Sequence, residues 1–131
     1  MMQHKSRILA IDDNEDIRNL LAFILEKEGY TVSTTADGVT GLAEIQNEKP
    51  DLILLDVMMP EFSGFEVLDA IRTDKDAKVR SIPVLMITAN SSTEGIDQAL
   101  ELGATSYVVK PFRPTTLVEK VRSLLQTVEL A

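Results

Sequence analysis

Residues 51–60 read DLILLDVMMP, with four aliphatic side chains from Leu52 to Leu55 followed at once by a carboxylate, Asp56, and then by Pro60. A short continuous apolar run of this kind suits a strand buried on both faces, as in parallel sheets covered by helices. A charge at the end of such a strand needs a reason, because an isolated carboxylate in an apolar interior is costly. The four aliphatic residues anchor the strand, and the anchored strand presents Asp56 to whatever lies beyond its C-terminal end.

The same pattern extends in both directions. RILAID (7–12) reads as a strand, and Ile17, Leu20, Leu21, Ile24 and Leu25 follow at helical spacing, closed by Gly29. YTVSTT (30–35) is β-branched and alternates in polarity, while DGVTGLAEIQNEK (37–49) makes a weaker helix, loosened by Gly38 and Gly41 and stopped before Pro50. After the central strand, Ser63 stands three residues before Glu66 in SGFEVLDAIR, a capping-box pattern at a helix start. The charged segment TDKDAKVRS (73–81) is expected to be a solvated loop. IPVLMIT (82–88) is a fourth strand, after which Ser91 and Glu94 offer a second capping box and Gly103 ends the helix. SYVVK (106–110) is a fifth strand, and Pro114 suits the first turn of a last helix with Leu117, Val121, Leu124, Leu125 and Val128 on one face.

Five strands alternating with five helices predict an α/β fold, a doubly wound five-stranded parallel sheet with right-handed crossovers. The common order for such a sheet is 2-1-3-4-5, which places the half-exposed second strand at an edge. A length of 131 residues fits a single domain, 1–131, with a core over about 6–129. The formal charge of −8 opposes direct binding to nucleic acid, and the lack of cysteine excludes thiolate metal sites and disulfides. No apolar run approaches the length of a membrane span, and the opening MMQHKSR lacks the apolar centre of a signal peptide. A cytoplasmic protein is the expectation, with no membrane partner and no role for His4.

In sheets of this type ligands bind outside the carboxyl ends of the strands, where the strand order reverses. The first strand ends on Asp12 and Asp13, the third on Asp56, the fourth on Thr88 and the fifth on Lys110. Three carboxylates converging on one crevice either have raised pKa values or share a cation. Oxygen ligands without His or Cys favour Mg²⁺, or Mn²⁺ in its place. Lys110 adds a positive charge and Thr88 a hydroxyl, the groups that hold the oxygens of a transferring phosphoryl group. Asp56 is then the candidate nucleophile and Asp12 and Asp13 the metal-holding carboxylates.

At these residues the chain resembles the receiver domain of bacterial two-component response regulators, through the strand-end Asp12-Asp13, the DVMMP that starts at Asp56, the Thr88-Ala89 pair and the KPF that starts at Lys110. The resemblance covers nearly the whole chain and implies a flavodoxin-like fold of receiver type. It implies that a histidine kinase, or a histidine phosphotransfer protein, donates a phosphoryl group from phosphohistidine to Asp56 with Mg²⁺ bound. The receiver would assist its own phosphorylation and dephosphorylation rather than turn over a separate substrate. The backbone carbonyl of Met58 would be a further metal ligand, and Pro111 would follow a cis Lys-Pro bond. Thr88 would couple to Tyr107 as a switch, and the face made by the fourth helix, fifth strand and fifth helix would report it to a downstream effector.

In many DNA-binding relatives that face also forms a phosphorylation-dependent homodimer through charged pairs. Here Thr105 and Ser106 stand where those relatives carry acidic residues, which speaks against that dimer mode. Met58 and Asn90, two residues after Asp56 and Thr88, would tune the lifetime of the phosphoryl group. Met58 offers no strong hydrogen bond to an attacking water, so slow self-dephosphorylation is expected.

Three other readings compete. A Mg²⁺-dependent phosphatase with an aspartyl nucleophile would need a second aspartate two residues after the first, and Met58 occupies that position. A flavodoxin-like cofactor binder would need Ser, Thr and Gly after its first strand, where this chain has DDNED. A non-phosphorylated interaction module would not need all five polar residues. The sequence contains no GxxxxGK[ST] or GxGxxG, so a bound nucleotide donor is not supported.

Overall fold

The computed structural model describes residues 5–89 and 93–130. Its five strands are β1 (Arg7–Ile11), β2 (Thr31–Thr35), β3 (Leu52–Asp56), β4 (Val84–Thr88) and β5 (Ser106–Val109). They pair in parallel in the order β2-β1-β3-β4-β5. The helices among the described residues are α1 (Glu15–Glu26), α2 (Gly38–Glu48), α3 (Gly64–Arg72), α4 (Ala77–Arg80), α5 (Thr93–Glu101) and α6 (Pro114–Leu130).

The side-chain alternation of the strands sorts the core into two layers. On one face Ile8 and Ala10 of β1 and Leu52 and Leu54 of β3 pack against Leu21 and Leu25 of α1 and Leu117 and Val121 of α6. On the other face Leu9, Ile11, Ile53 and Leu55 meet Ile45 of α2, Val67 and Leu68 of α3, and Ala99 of α5. The three inner strands are buried on both faces, so period-two polarity disappears from them. The edge strand β2 stays open to solvent, with three of its five residues exposed.

The helix starts follow local chemistry. Asn14 caps α1 by accepting the Ile17 N–H, and Asp37 caps α2 through Thr40. Ser63 and Glu66 form the reciprocal capping box of α3. Pro114 opens α6. Ser91, of the second expected capping box, lies outside the described residues, as does His4.

Two expectations need correction. The segment 73–81 is not simply a solvated loop, because α4 makes a sixth helix there, capped by Asp76 and burying Val79 in the core. One turn is too short to leave a 3.6-residue pattern, and the charges around it masked the single inward side chain. Its last carbonyl also matters, because the half-buried Arg72 guanidinium donates to the oxygen of Arg80, as it does to those of Ile82 and Gly103, at 3.0, 2.7 and 2.9 Å respectively. Likewise, Gly38 and Gly41 do not simply loosen α2. Both are buried, and a Cβ on either would stand 2.5 Å from a side-chain carbon, of Phe62 and Ile11 respectively. The glycines let α2 lie close to its neighbours.

Candidate functional site

Parallel pairing brings the ends of four strands to one rim. Ile11 lies opposite Leu55, Asp56 opposite Ile87, and Thr88 opposite Val109, so Asp12, Asp56, Thr88 and Lys110 follow one another across the sheet edge. Asp12 and Asp56 are buried, at 1% and 3% exposure, whereas Asp13 is exposed. Carboxylate oxygens of Asp12, Asp13 and Asp56 lie within 4.8 Å of one another.

Each buried aspartate is held by more than one partner, through its carboxylate and, for Asp12, through its backbone as well. Asp12 Oδ1 accepts the Asn14 N–H at 2.9 Å, and the Asp12 N–H donates to the Thr35 carbonyl at 3.1 Å. The guanidinium of Arg18 donates to the Asp12 carbonyl at 2.9 Å. Asp56 Oδ1 accepts the Met58 N–H at 3.2 Å. Lys110 Nζ donates to Asp12 Oδ2 at 3.3 Å and stands 3.6 Å from Asp56 Oδ1. Lys110 is positioned in turn by its own N–H, which donates to the Thr88 carbonyl at 2.7 Å. The peptide bond from Lys110 to Pro111 is cis.

Electrostatics distinguish Asp56. Its pKa is raised from the ordinary 3.8 to about 6, chiefly by burial and then by the neighbouring Asp12, against the opposing pull of Lys110 and the Met58 N–H. A carboxylate so placed gains from a nearby cation, and an all-oxygen donor set suits a hard divalent ion. The cluster therefore fits Mg²⁺ on the chemistry of its donors.

The remaining expected residues surround this core. Met58 is 70% exposed at the mouth of the site. Thr88 is buried and lines, together with Tyr107, Val57, Phe65 and Ala99, a cavity of ≈130 Å³. Asn90 lies outside the described residues.

Two contributors left little trace in the sequence. Arg18 reaches back to Asp12 from the first turns of α1, a spacing that matches no motif. Gly64 was hidden behind the capping box. A Cβ there would fall well inside van der Waals contact of the Asp56 carbonyl oxygen, so glycine lets the start of α3 press against the end of β3. The Gly64 N–H also donates to the Val57 carbonyl at 3.0 Å, fixing the turn that carries Met58.

Comparison with known proteins gives a consistent picture. Residues 8–122 match the family model described as the response regulator receiver domain. The chain is 42% identical to the alkaline phosphatase synthesis transcriptional regulatory protein PhoP of Bacillus subtilis over 95% of this chain and 50% of that protein. It is 35% identical to the DNA-binding response regulator MtrA of Mycobacterium tuberculosis over 93% of this chain and 51% of that protein. The chain thus spans about half the length of the curated relatives it matches. Among solved structures, the chemotaxis protein CheY4 of Vibrio cholerae superposes with a TM-score of 0.87 at 36% identity, covering 92% of this chain and 99% of that one. With its sheet order, its rim of acidic residues and a family match over most of its length, the chain belongs to the receiver domains of two-component response regulators.

Proposed function

We propose that Asp56 is a phosphoacceptor and that the chain takes a phosphoryl group from phosphohistidine on a histidine kinase or a histidine phosphotransfer protein. The observation that carries this reading is the convergence of Asp12, Asp13, Asp56 and Lys110 at the C-terminal rim of the sheet. A carboxylate oxygen of Asp56 forms the new P–O bond as the P–N bond to the donor imidazole breaks. Lys110 holds a phosphoryl oxygen by charge, and the Thr88 hydroxyl by hydrogen bonding. Asp12, Asp13 and Asp56 would hold Mg²⁺ with the Met58 carbonyl, and the ion would neutralise charge on the transferring oxygens.

The hydrogen bond from Thr88 to the phosphoryl group on Asp56 draws the hydroxyl towards Asp56, and the Tyr107 ring moves into the cavity that it shares with Thr88. The α5-β5-α6 face then changes shape for a downstream effector protein or domain. The acidity of the chain supports a receiver that leaves any DNA contact to other protein. Among the described residues, no helix is long and apolar enough to cross a membrane.

Incubation with acetyl phosphate, followed by intact mass, tests the chemistry. A labile phosphoryl adduct that requires both Mg²⁺ and Asp56, and is absent from Asp56→Asn, is the expected result. Absence of an adduct with acetyl phosphate and with a phosphohistidine donor would favour a protein-binding module instead.

A further inference from the structure

Tyr107 lines two cavities. One, of ≈130 Å³, contains Thr88; the other, of ≈330 Å³, is bounded by Phe112, Thr116 and Lys120. The Lys120 ammonium lies over the Tyr107 ring, 4.8 Å from its centroid. That distance is within the range of a cation–π attraction, and both side chains are half-buried, which reduces screening by water. Among the described residues Lys120 forms no ion pair. The positions before Tyr107 supply no carboxylate that could draw the ammonium away, being Thr105 and Ser106.

From this arrangement we infer that Lys120 is a positioning residue, a latch that holds the Tyr107 ring towards α6 and so biases the switch against its phosphorylated form. The inference rests on the switch proposed above, because a latch has meaning only if the ring has a second position. Moving the ring into the Thr88 cavity would break the cation–π contact. The contact therefore stabilises only the starting state, and its loss should shift the equilibrium without any change at Asp56. An attraction of this kind corresponds to a roughly two- to fivefold change in that equilibrium.

The chain has two tyrosines, Tyr30 and Tyr107, so incorporation of 3-fluorotyrosine gives two ¹⁹F resonances that Tyr107→Phe assigns. Spectra would be recorded with Mg²⁺ across a beryllofluoride titration, this anion mimicking the phosphoryl group. Lys120→Met keeps the aliphatic stem and removes the cation, Lys120→Gln repeats the test with a polar end, and Lys120→Arg restores a cation over the ring. The latch predicts that the Met and Gln variants move the Tyr107 resonance towards its beryllofluoride position before any anion is added. Their half-saturation should fall roughly two- to fivefold, with Arg returning both to wild type and Tyr30 constant as the control for folding.

If Tyr107 responds to beryllofluoride in the wild type but is indifferent to all three substitutions, the latch is wrong and the switch stands. If beryllofluoride leaves the wild-type Tyr107 resonance in place, the switch reading fails and the latch falls with it.

Discussion

Met58 shows how one side chain at the mouth of a site can set a rate without touching the fold. Its thioether is 70% exposed while its N–H is committed to Asp56 Oδ1. A thioether is only a weak acceptor and cannot orient an attacking water. Met58→Asn should therefore speed loss of the phosphoryl group by up to roughly tenfold, the equivalent of one good hydrogen bond gained in the transition state. The decay of the acetyl-phosphate adduct, followed by intact mass, measures it; an unchanged decay rate would remove Met58 from the lifetime. The residue scale was also the most legible in the sequence. Asp12, Asp56, Thr88 and Lys110 could be singled out because each follows a run of apolar residues, and polarity at the end of a buried strand is conspicuous. Arg18 could not, since its contact is to a backbone carbonyl that every residue possesses.

Among the elements, α3 has the closest tie to the site. Its first residue, Gly64, lies against the last backbone atoms of β3, with the Asp56 carbonyl where a Cβ would stand. Gly64→Ala must push the helix or the strand end aside, at a cost of roughly 1–3 kcal/mol for overpacking. Urea unfolding should register that loss, and the rate of acetyl-phosphate modification should drop with it because Asp56 is displaced. Stability near wild type would show that the turn from β3 can yield. The elements themselves were mostly readable from apolar spacing, caps and glycines. The exception, α4, is a single turn whose helical character comes from the Asp76 cap and from Val79 finding a place in the core. Neither feature produces a periodic signal.

For the molecule as a whole, Asp56 links the site to global stability. Its folded pKa of about 6 lies above the ordinary 3.8, so between these values the folded state binds more protons than the unfolded one. Stability must then fall as pH rises through that window and level off above it, the opposite of a salt-bridged aspartate. The contribution is at most ~3 kcal/mol and smaller in practice, because the rim is open to solvent on one side. Without divalent ions, thermal unfolding should show a wild type that loses stability between pH 4 and 6 on this account, while Asp56→Asn lacks that loss and melts a few degrees higher at pH 7. Addition of Mg²⁺ at pH 7 should restore much of the difference to the wild type and little to the variant. Parallel pH profiles for the two proteins would mean that Asp56 carries no such burden.

The sequence by itself determined the strand and helix alternation, apart from the short α4, and the rim on which the polar residues gather. These follow from apolar run length, turn residues and the rule that parallel strands end on the same side, whereas the order 2-1-3-4-5 is the common arrangement for a sheet of this size. Tertiary structure alone decided which polar groups meet at bonding distance, how closely the backbone at Gly38, Gly41 and Gly64 is approached, and where Lys120 lies relative to Tyr107. Those outcomes depend on how closely one element approaches another, and that distance is set by packing between segments far apart in the chain, such as Gly41 against Ile11 and Gly38 against Phe62.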